Sequence, residues 1–315
     1  MKSNMSLSRR QALLLGAALP LATGLATLPR PVSAAAEKLG ASLFQANRFA
    51  LGNFEVTAIL AGTQTVPDPH KLFGLNVTDE EFAAASAAAF IPANRNQFFF
   101  TPTIVNTGTE LVLFDTGTDP AGLMAAISAA GYTADQIDVV VLTHMHPDHI
   151  GGLMTDGAPT FAQARYVTGG AEHNFWSGAA NEGFDALVKP FNEKMTFLED
   201  GGSVASGITA KLAAGHTPGH MIYMLESGSA QVAITADTAN HFVWSLAYPD
   251  WEFAYDADKA MAAASRRAVF GMLAADRIPF IGYHMPFPAL GFVETTASGF
   301  HYVPASYQMM MTTAG

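Results

Sequence analysis

Thr143-His144-Met145-His146-Pro147-Asp148-His149-Ile150-Gly151-Gly152 places four side chains of metal-ligand type within six residues. His144 and His146 flank Met145, so on extended backbone at a strand end their imidazoles project to the same side. Pro147 lacks the N–H that a ladder or helix interior needs, so the chain turns there before Asp148 and His149. One ion cannot readily take all four groups from so short a loop. The mixture of imidazole and carboxylate suits zinc, iron, manganese or cobalt better than calcium.

Working outward, the residues before this loop, Ile137 to Thr143, form an almost unbroken apolar, β-branched run. Such a run predicts a strand buried on both faces. Further upstream, strands are predicted over Phe54 to Leu60, Phe98 to Asn106 and Leu111 to Phe114, followed by a helix from Pro120 to Ala130 that Gly131 ends. Downstream, strands are predicted over Ile208 to Ala213, Met221 to Leu225, Val232 to Thr235 and Phe280 to Tyr283, with a helix from Asp256 to Ala275. Three of these elements end at a further residue able to bind metal: His216, Asp237 and His284. Strand ends are the usual address of a site on a layered α/β scaffold, because the loops there are free to aim side chains. Between the early strands lies Pro67 to Asn96, with a helix opened by Thr78 and Asp79 and a Thr78/Glu81 capping box. This insertion at 67–96 reads as a flap over the site, a homodimer contact or a plain surface helix.

At 315 residues and half hydrophobic composition, the chain is long enough to bury a large core. Its first 36 residues do not read as part of that core. Lys2, Arg9 and Arg10 precede the apolar stretch Ala12 to Leu28, and the small residues Val32-Ser33-Ala34-Ala35-Ala36 follow it, the layout of a cleavable secretory leader. Ser8-Arg9-Arg10-Gln11-Ala12-Leu13 is similar to a twin-arginine export motif. The expected organisation is therefore an export signal at 1–36 and a single domain at 37–315, periplasmic or secreted, with no stable membrane insertion once the leader is removed. The formal charge is −11. The leader contributes Lys2, Arg9, Arg10 and Arg30 and no acid, so the remainder is more acidic still. Such a chain repels DNA and RNA, whose binding needs basic patches. There is no cysteine, which removes disulfides, thiolate ligands and cysteine nucleophiles.

The succession of Thr143 to Gly152, Gly215-His216-Thr217-Pro218-Gly219-His220, Ala236-Asp237 and Gly282-Tyr283-His284 resembles the metallo-β-lactamase superfamily, whose H-x-H-x-D-H signature matches His144 to His149. The resemblance covers the chain beyond the leader and implies an α/β fold, the four-layer αββα sandwich. It further implies that His144, His146 and His216 hold one divalent metal, that Asp148, His149 and His284 hold a second, and that Asp237 bridges them. Zinc is the first expectation, with iron, manganese and cobalt as alternatives. Asp115 in Phe114-Asp115-Thr116-Gly117 resembles the family's D-T-G, a carboxylate that supports the metal loop. Two such metals activate a shared water and polarise the oxygen under attack, so no protein nucleophile is needed. Asp237 and Asp148 are the catalytic candidates, Asp148 as the group that passes a proton to the leaving group.

Within the superfamily the chain is similar to the methyl parathion hydrolases and related lactonases, over Gly52 to Ala58, Val105 to Gly108, Thr143 to Met154, Gly215 to His220 and Gly299 to Pro304. That resemblance implies a small-molecule substrate, a lactone or ester, with an organophosphate triester as the alternative. An iron-dependent oxidoreductase or a non-catalytic metal-holding module on the same fold are the readings of another class. By the same resemblance Trp176 contacts substrate. Phe73, Phe175, Trp244 and Phe287 join it as aromatics close to ligand-bearing loops. Thr238 to Trp244 departs from the aliphatic stretch of methyl parathion hydrolases: Asn240 stands where acyl-homoserine lactonases carry a tyrosine, and His241 is a substrate-side candidate.

Overall fold

The computed structural model describes residues 38 and 40–309. The export signal expected at 1–36 lies outside the described residues, as do Met310 and Met311. From Leu43 onward the chain forms one compact unit.

Two seven-stranded sheets make up its centre. The first runs from edge to edge through Ala46–Leu51, Phe54–Ile59, Thr103–Asn106, Leu111–Phe114, Val139–Leu142, Arg165–Gly169 and Met195–Leu198. The second runs through Ser203–Ala205, Ile208–Leu212, Met221–Ser227, Ala230–Ala236, Phe280–Gly282, Leu290–Thr295 and Phe300–Pro304. Parallel neighbours are joined by helical crossovers: Pro120–Ala129 lies between Leu111–Phe114 and Val139–Leu142, and Lys259–Asp276 between Ala230–Ala236 and Phe280–Gly282. With helices on the outer faces, this is the αββα sandwich.

The strand that feeds the histidine loop shows why the layers form. All four residues of Val139–Leu142 are buried, and they alternate. Val139 and Val141 pack into the core between the sheets with Val56, Val112 and Tyr223, whereas Val140 and Leu142 pack with Leu123, Ala126 and Ile127 of the crossover helix. A period of two divides one apolar run between two cores, each side chain contributing roughly 1.5–3 kcal/mol when wholly removed from water. The helix it meets begins at Pro120, with Asp119 accepting the Gly122 N–H at 2.9 Å.

The run Phe98 to Asn106, expected as one strand, is two. Arg95–Phe100 pairs with Gly62–Pro67 as a separate two-stranded ribbon, and Thr103–Asn106 enters the first sheet. Thr101-Pro102 separates them, because Pro102 has no N–H to continue a ladder. The helix expected from Asp256 starts at Lys259, where Asp258 caps it through the Met261 N–H. In the insertion, Asp79–Ala88 is a helix with the reciprocal Thr78/Glu81 capping box formed. Phe82 of that helix stacks on Trp244 at 4.8 Å, and Ser86 accepts the Trp244 indole N–H at 2.9 Å. No helix among the described residues is long and apolar enough to cross a membrane.

Candidate metal centre and cleft

The seven residues read as ligands come from four separate places in the chain and converge on one end of the sheets. His144 and His146 follow Val139–Leu142, and Asp148 and His149 lie in the single helical turn Pro147–Ile150 that Pro147 opens. Gly151 lets this turn press against the chain at Gly117-Thr118: a Cβ there would sit 2.2 Å from the Thr118 carbonyl oxygen. His216 follows Ile208–Leu212, while Asp237 and His284 directly follow or closely follow Ala230–Ala236 and Phe280–Gly282. Ala236, just before Asp237, is held in the left-handed region at φ 43°, a conformation an alanine adopts only when its surroundings impose it.

Three groups of inward-facing atoms result: His144, His146 and His216; His144, His149 and Asp237; and Asp148, His149 and His284, each within 4.8 Å of one another. Asp237 stands between the ends, with Oδ1 3.2 Å from His149 Nε2, and Oδ2 3.3 Å from His216 Nε2 and 3.2 Å from His284 Nε2. Asp148 Oδ2 lies 3.3 Å from His284 Nε2.

The outer nitrogens of these rings decide what the inner ones can do. His149 Nδ1 donates to Asp115 at 2.9 Å, His216 Nδ1 to Asp256 at 2.9 Å, and His284 Nδ1 to the Phe99 carbonyl at 2.9 Å. Thr143 Oγ1, which donates to Asp115 at 2.8 Å, accepts from His144 Nδ1 at 3.2 Å. With the proton on the outer nitrogen, Nε2 of each ring presents a lone pair to the centre. His146 Nδ1 lies 3.1 Å from His144 Nε2 and 2.9 Å from His216 Nε2. A proton on His146 Nδ1 can serve only one of these two contacts, and the other then sets two lone pairs against each other, a spacing that suits a cation between them. His149 Nε2 and Asp237 Oδ1 are buried with no hydrogen-bond partner among the described residues. The residues therefore fit two divalent cations, one held by His144, His146 and His216, the other by Asp148, His149 and His284, with Asp237 shared.

The electrostatics agree. Burial opposes protonation of His149, yet Asp237, Asp115 and Asp148 hold it well above the usual imidazole range. Burial also opposes the charge on His284, but Asp237 and Asp148 push it up to about 10. His216, desolvated but bonded to Asp237 and Asp256, is pushed up to about 9. Burial and the neighbouring His216 push His146 down to about 3. Asp237 and Asp148 within the centre, with Asp115 and Asp256 behind it, thus favour positive charge at His149, His216 and His284.

Two of those supporting groups carry no sequence signal. Asp256 joins His216 to Arg266, whose Nη2 donates to it at 3.0 Å, and both side chains are buried. Glu172 is fully buried in the helix Gly170–Gly178. Asp256 was expected only as the start of a helix and no element was expected at Glu172, so only the fold brings them to the histidines.

In front of the centre opens a cleft of about 420 Å³. His146, Asp148, His216, Asp237 and His284 form its floor, and Val66, Leu72, Phe98, Phe100, Phe253 and Tyr255 its walls. Gln64, Thr118, Pro147 and Asn240 complete the lining, with no lysine or arginine among the described residues. Of the residues read from the sequence as substrate-facing, Asn240 lies in this lining, donating through Nδ2 to Asp237 Oδ2 at 2.8 Å. Trp176 packs edge-on against His146 at 5.7 Å and gives its indole N–H to Glu172. Phe175 is partly exposed and packs edge-on against Trp176 at 5.3 Å. Phe73 and Trp244 are one layer behind: Phe73 stacks on Phe253 at 4.6 Å and on Phe98 at 5.9 Å, and Trp244 packs on Phe73 at 5.4 Å. His241 stacks on Trp244 at 4.0 Å and accepts the backbone N–H groups of Val243 and Trp244. Phe287 packs edge-on against Phe44. The insertion supplies Leu72 to the cleft and the ribbon beside it supplies Gln64, Val66, Phe98 and Phe100, while the helix Asp79–Ala88 backs them through Trp244.

The profile of the metallo-β-lactamase superfamily matches residues 101–279, more than half of the chain. The chain belongs to that superfamily. Among solved structures of this superfamily's fold, the chain is similar to AidC, a dizinc quorum-quenching lactonase in complex with a product, N-hexanoyl-L-homoserine, at 26% identity and a TM-score of 0.77 over 84% of this chain and 98% of that one. It is similar in fold to the hydrolase AbOPH (22% identity, TM-score 0.77, covering 85% of this chain and 100% of that one). The same holds for a probable metal-dependent hydrolase from Staphylococcus aureus (19% identity, TM-score 0.68, covering 82% and 99%). No curated protein sequence matches the chain. Superfamily membership and the converging His/Asp set together make the protein a metal-dependent hydrolase.

Proposed function

We propose that this protein is an exported dizinc hydrolase of small, uncharged lactones or esters with an apolar acyl or aryl portion. The observation that carries this reading is the cleft itself: a His/Asp floor suited to two cations under walls of Val66, Leu72, Phe98, Phe100, Phe253 and Tyr255, with no lysine or arginine among the described residues to receive an anionic substrate. Its likeness to a dizinc lactonase supports the same chemistry.

Two zinc ions, when bound, would supply an acidified water and a Lewis acid for the oxygen under attack. The residues of the chain do the rest. Asp237 holds a fixed orientation because Asn240 donates to Oδ2 and His220 accepts the Asp237 backbone N–H at 3.1 Å. Asp148 lines the cleft, with a side chain a quarter exposed, and is placed to carry a proton to the departing alkoxide. Apolar walls seat the substrate and keep bulk water from the reacting carbonyl. Export is supported by the leader-like residues 1–36.

The test is hydrolysis by the zinc-loaded chain of an aryl ester, an aromatic lactone, an acyl-homoserine lactone, a dialkyl aryl phosphotriester and a carboxylate-bearing β-lactam, each with a chelator control. Lactone or ester turnover that chelation stops is the expected result. A phosphotriester hydrolysed fastest would reassign the substrate class, and a preferred β-lactam would overturn the argument from the uncharged walls. N-terminal sequencing of chain recovered from outside the cytoplasm is expected to begin after the small-residue run ending at Ala36.

A further inference from the structure

Glu172 is a fully buried acid that takes no part in the ligand set, the cleft or the leader. Four donors converge on its carboxylate. Oε1 accepts from the Met145 backbone N–H at 3.0 Å and the Trp176 indole N–H at 2.6 Å; Oε2 accepts from the Thr217 hydroxyl at 2.6 Å and the Gly219 backbone N–H at 3.1 Å. Met145 lies between His144 and His146, and Thr217 directly follows His216. One oxygen therefore grips the first ligand loop and the other grips the second, the one that carries His216.

The loop after His216 is also shaped to reach this acid. Gly219 presses on the backbone of the helix Gly170–Gly178 so closely that a Cβ would lie 2.0 Å from the Glu172 nitrogen. Trp176, one turn further along the same helix, has its ring against His146 while its N–H is tied to Glu172. Three of the four donors, the two backbone N–H groups and the indole N–H, cannot accept a hydrogen bond. An amide in place of the carboxylate would turn an N–H toward at least one of them.

The geometry points to Glu172 as a positioning residue that sets the separation of His146 and His216, and so the affinity and coordination geometry of one metal of the two. Asp148 and His284 share no contact with it, so the second metal is governed by other groups, among them Asp115 and the Phe99 carbonyl. The assignment rests on the dinuclear reading above.

The experiment is zinc binding by chelator competition on the wild-type chain, Glu172→Gln and Thr217→Val, with the Co²⁺ ligand-field spectrum and the metal-free Tm read alongside. Wild type is expected to bind two zinc ions per chain; failure there would overturn the dinuclear reading itself, independently of the variants. With that satisfied, Glu172→Gln is expected to weaken one ion by about 10–100-fold, leave the other unchanged and shift one set of cobalt bands. Thr217→Val, which removes a single donor, is expected to weaken the same ion by less. Unchanged affinities in a folded Glu172→Gln, or equal weakening of both ions, would overturn the assignment. Should Glu172→Gln fail to fold, Thr217→Val decides: two ions of wild-type affinity and wild-type cobalt bands would overturn it.

Discussion

Asp115 accepts the Nδ1–H of His149 at 2.9 Å, and this bond determines that Nε2 of His149 faces Asp237 Oδ1 at 3.2 Å. Asp115 is itself held by the Thr143 backbone N–H at 2.9 Å and the Thr143 hydroxyl at 2.8 Å, and it sits in the left-handed region at φ 59°. Asp115→Asn keeps the shape but sets an amide N–H where one of those donors now points. Metal affinity is expected to fall by about 10–100-fold with the loaded fold retained, read as zinc content after dialysis against a graded chelator.

Asp237 and His149 belong to the centre itself. Asp237→Ala and His149→Ala are each expected to reduce hydrolysis to background and to bring the Tm of the zinc-loaded chain down to that of the chelated chain. Full activity in both variants would exclude the dinuclear mechanism. Wild-type protein treated with chelator is expected to lose activity and regain it on adding zinc, because bound metal contributes to folding stability by mass action.

Phe253 lines the cleft, and Phe73 stacks behind it at 4.6 Å. Phe253→Leu is expected to raise KM for an apolar ester up to about tenfold while kcat changes little, since it removes binding surface equally from ground state and transition state. Phe73→Leu is expected to cost about 1–3 kcal/mol of stability, with a smaller effect on KM, measured by denaturant unfolding beside the kinetics. A larger KM effect from Phe73→Leu would place it, rather than Phe253, against substrate.

His241 is buried away from solvent, and that desolvation pushes its imidazole down to about 3. Its Nδ1 accepts two backbone N–H groups and so must stay unprotonated there. The unfolded chain takes up this proton near pH 6.5, and the folded chain does so only near 3. The associated stability is therefore present above about pH 6.5 and lost as pH falls toward 3, at up to about 1.4 kcal/mol per pH unit for one proton. His241→Leu is expected to be less stable than wild type at neutral pH and to show a shallower loss between pH 6.5 and 3. Parallel pH profiles for the two chains would contradict this.

The histidine loop and its partners were legible in the sequence because metal ligation demands particular side chains at short spacing, and His144 to His149 cannot be rearranged without losing it. The strand before it was legible because burial on both faces leaves an unbroken apolar run, and the Thr78/Glu81 cap because capping is local. By contrast, Phe98 and Phe100 face the cleft, with Phe73 and Trp244 a layer behind, only through the pairing of the ribbon Gly62–Pro67 with Arg95–Phe100. Every one of these residues is an aromatic near the site, and apolar character alone does not distinguish wall from core. Glu172 and Asp256 were illegible for a further reason. An isolated acid with no motif around it carries no sign of burial, and it becomes a buried acceptor for the ligand loops only when segments 27, 40 or 45 residues away are folded against it. The candidate ligands and the chemistry they suit are thus named by the sequence by itself, whereas the distances between them, the supporting carboxylates and the shape of the cleft are decided by tertiary structure, because those depend on which distant groups share a desolvated space.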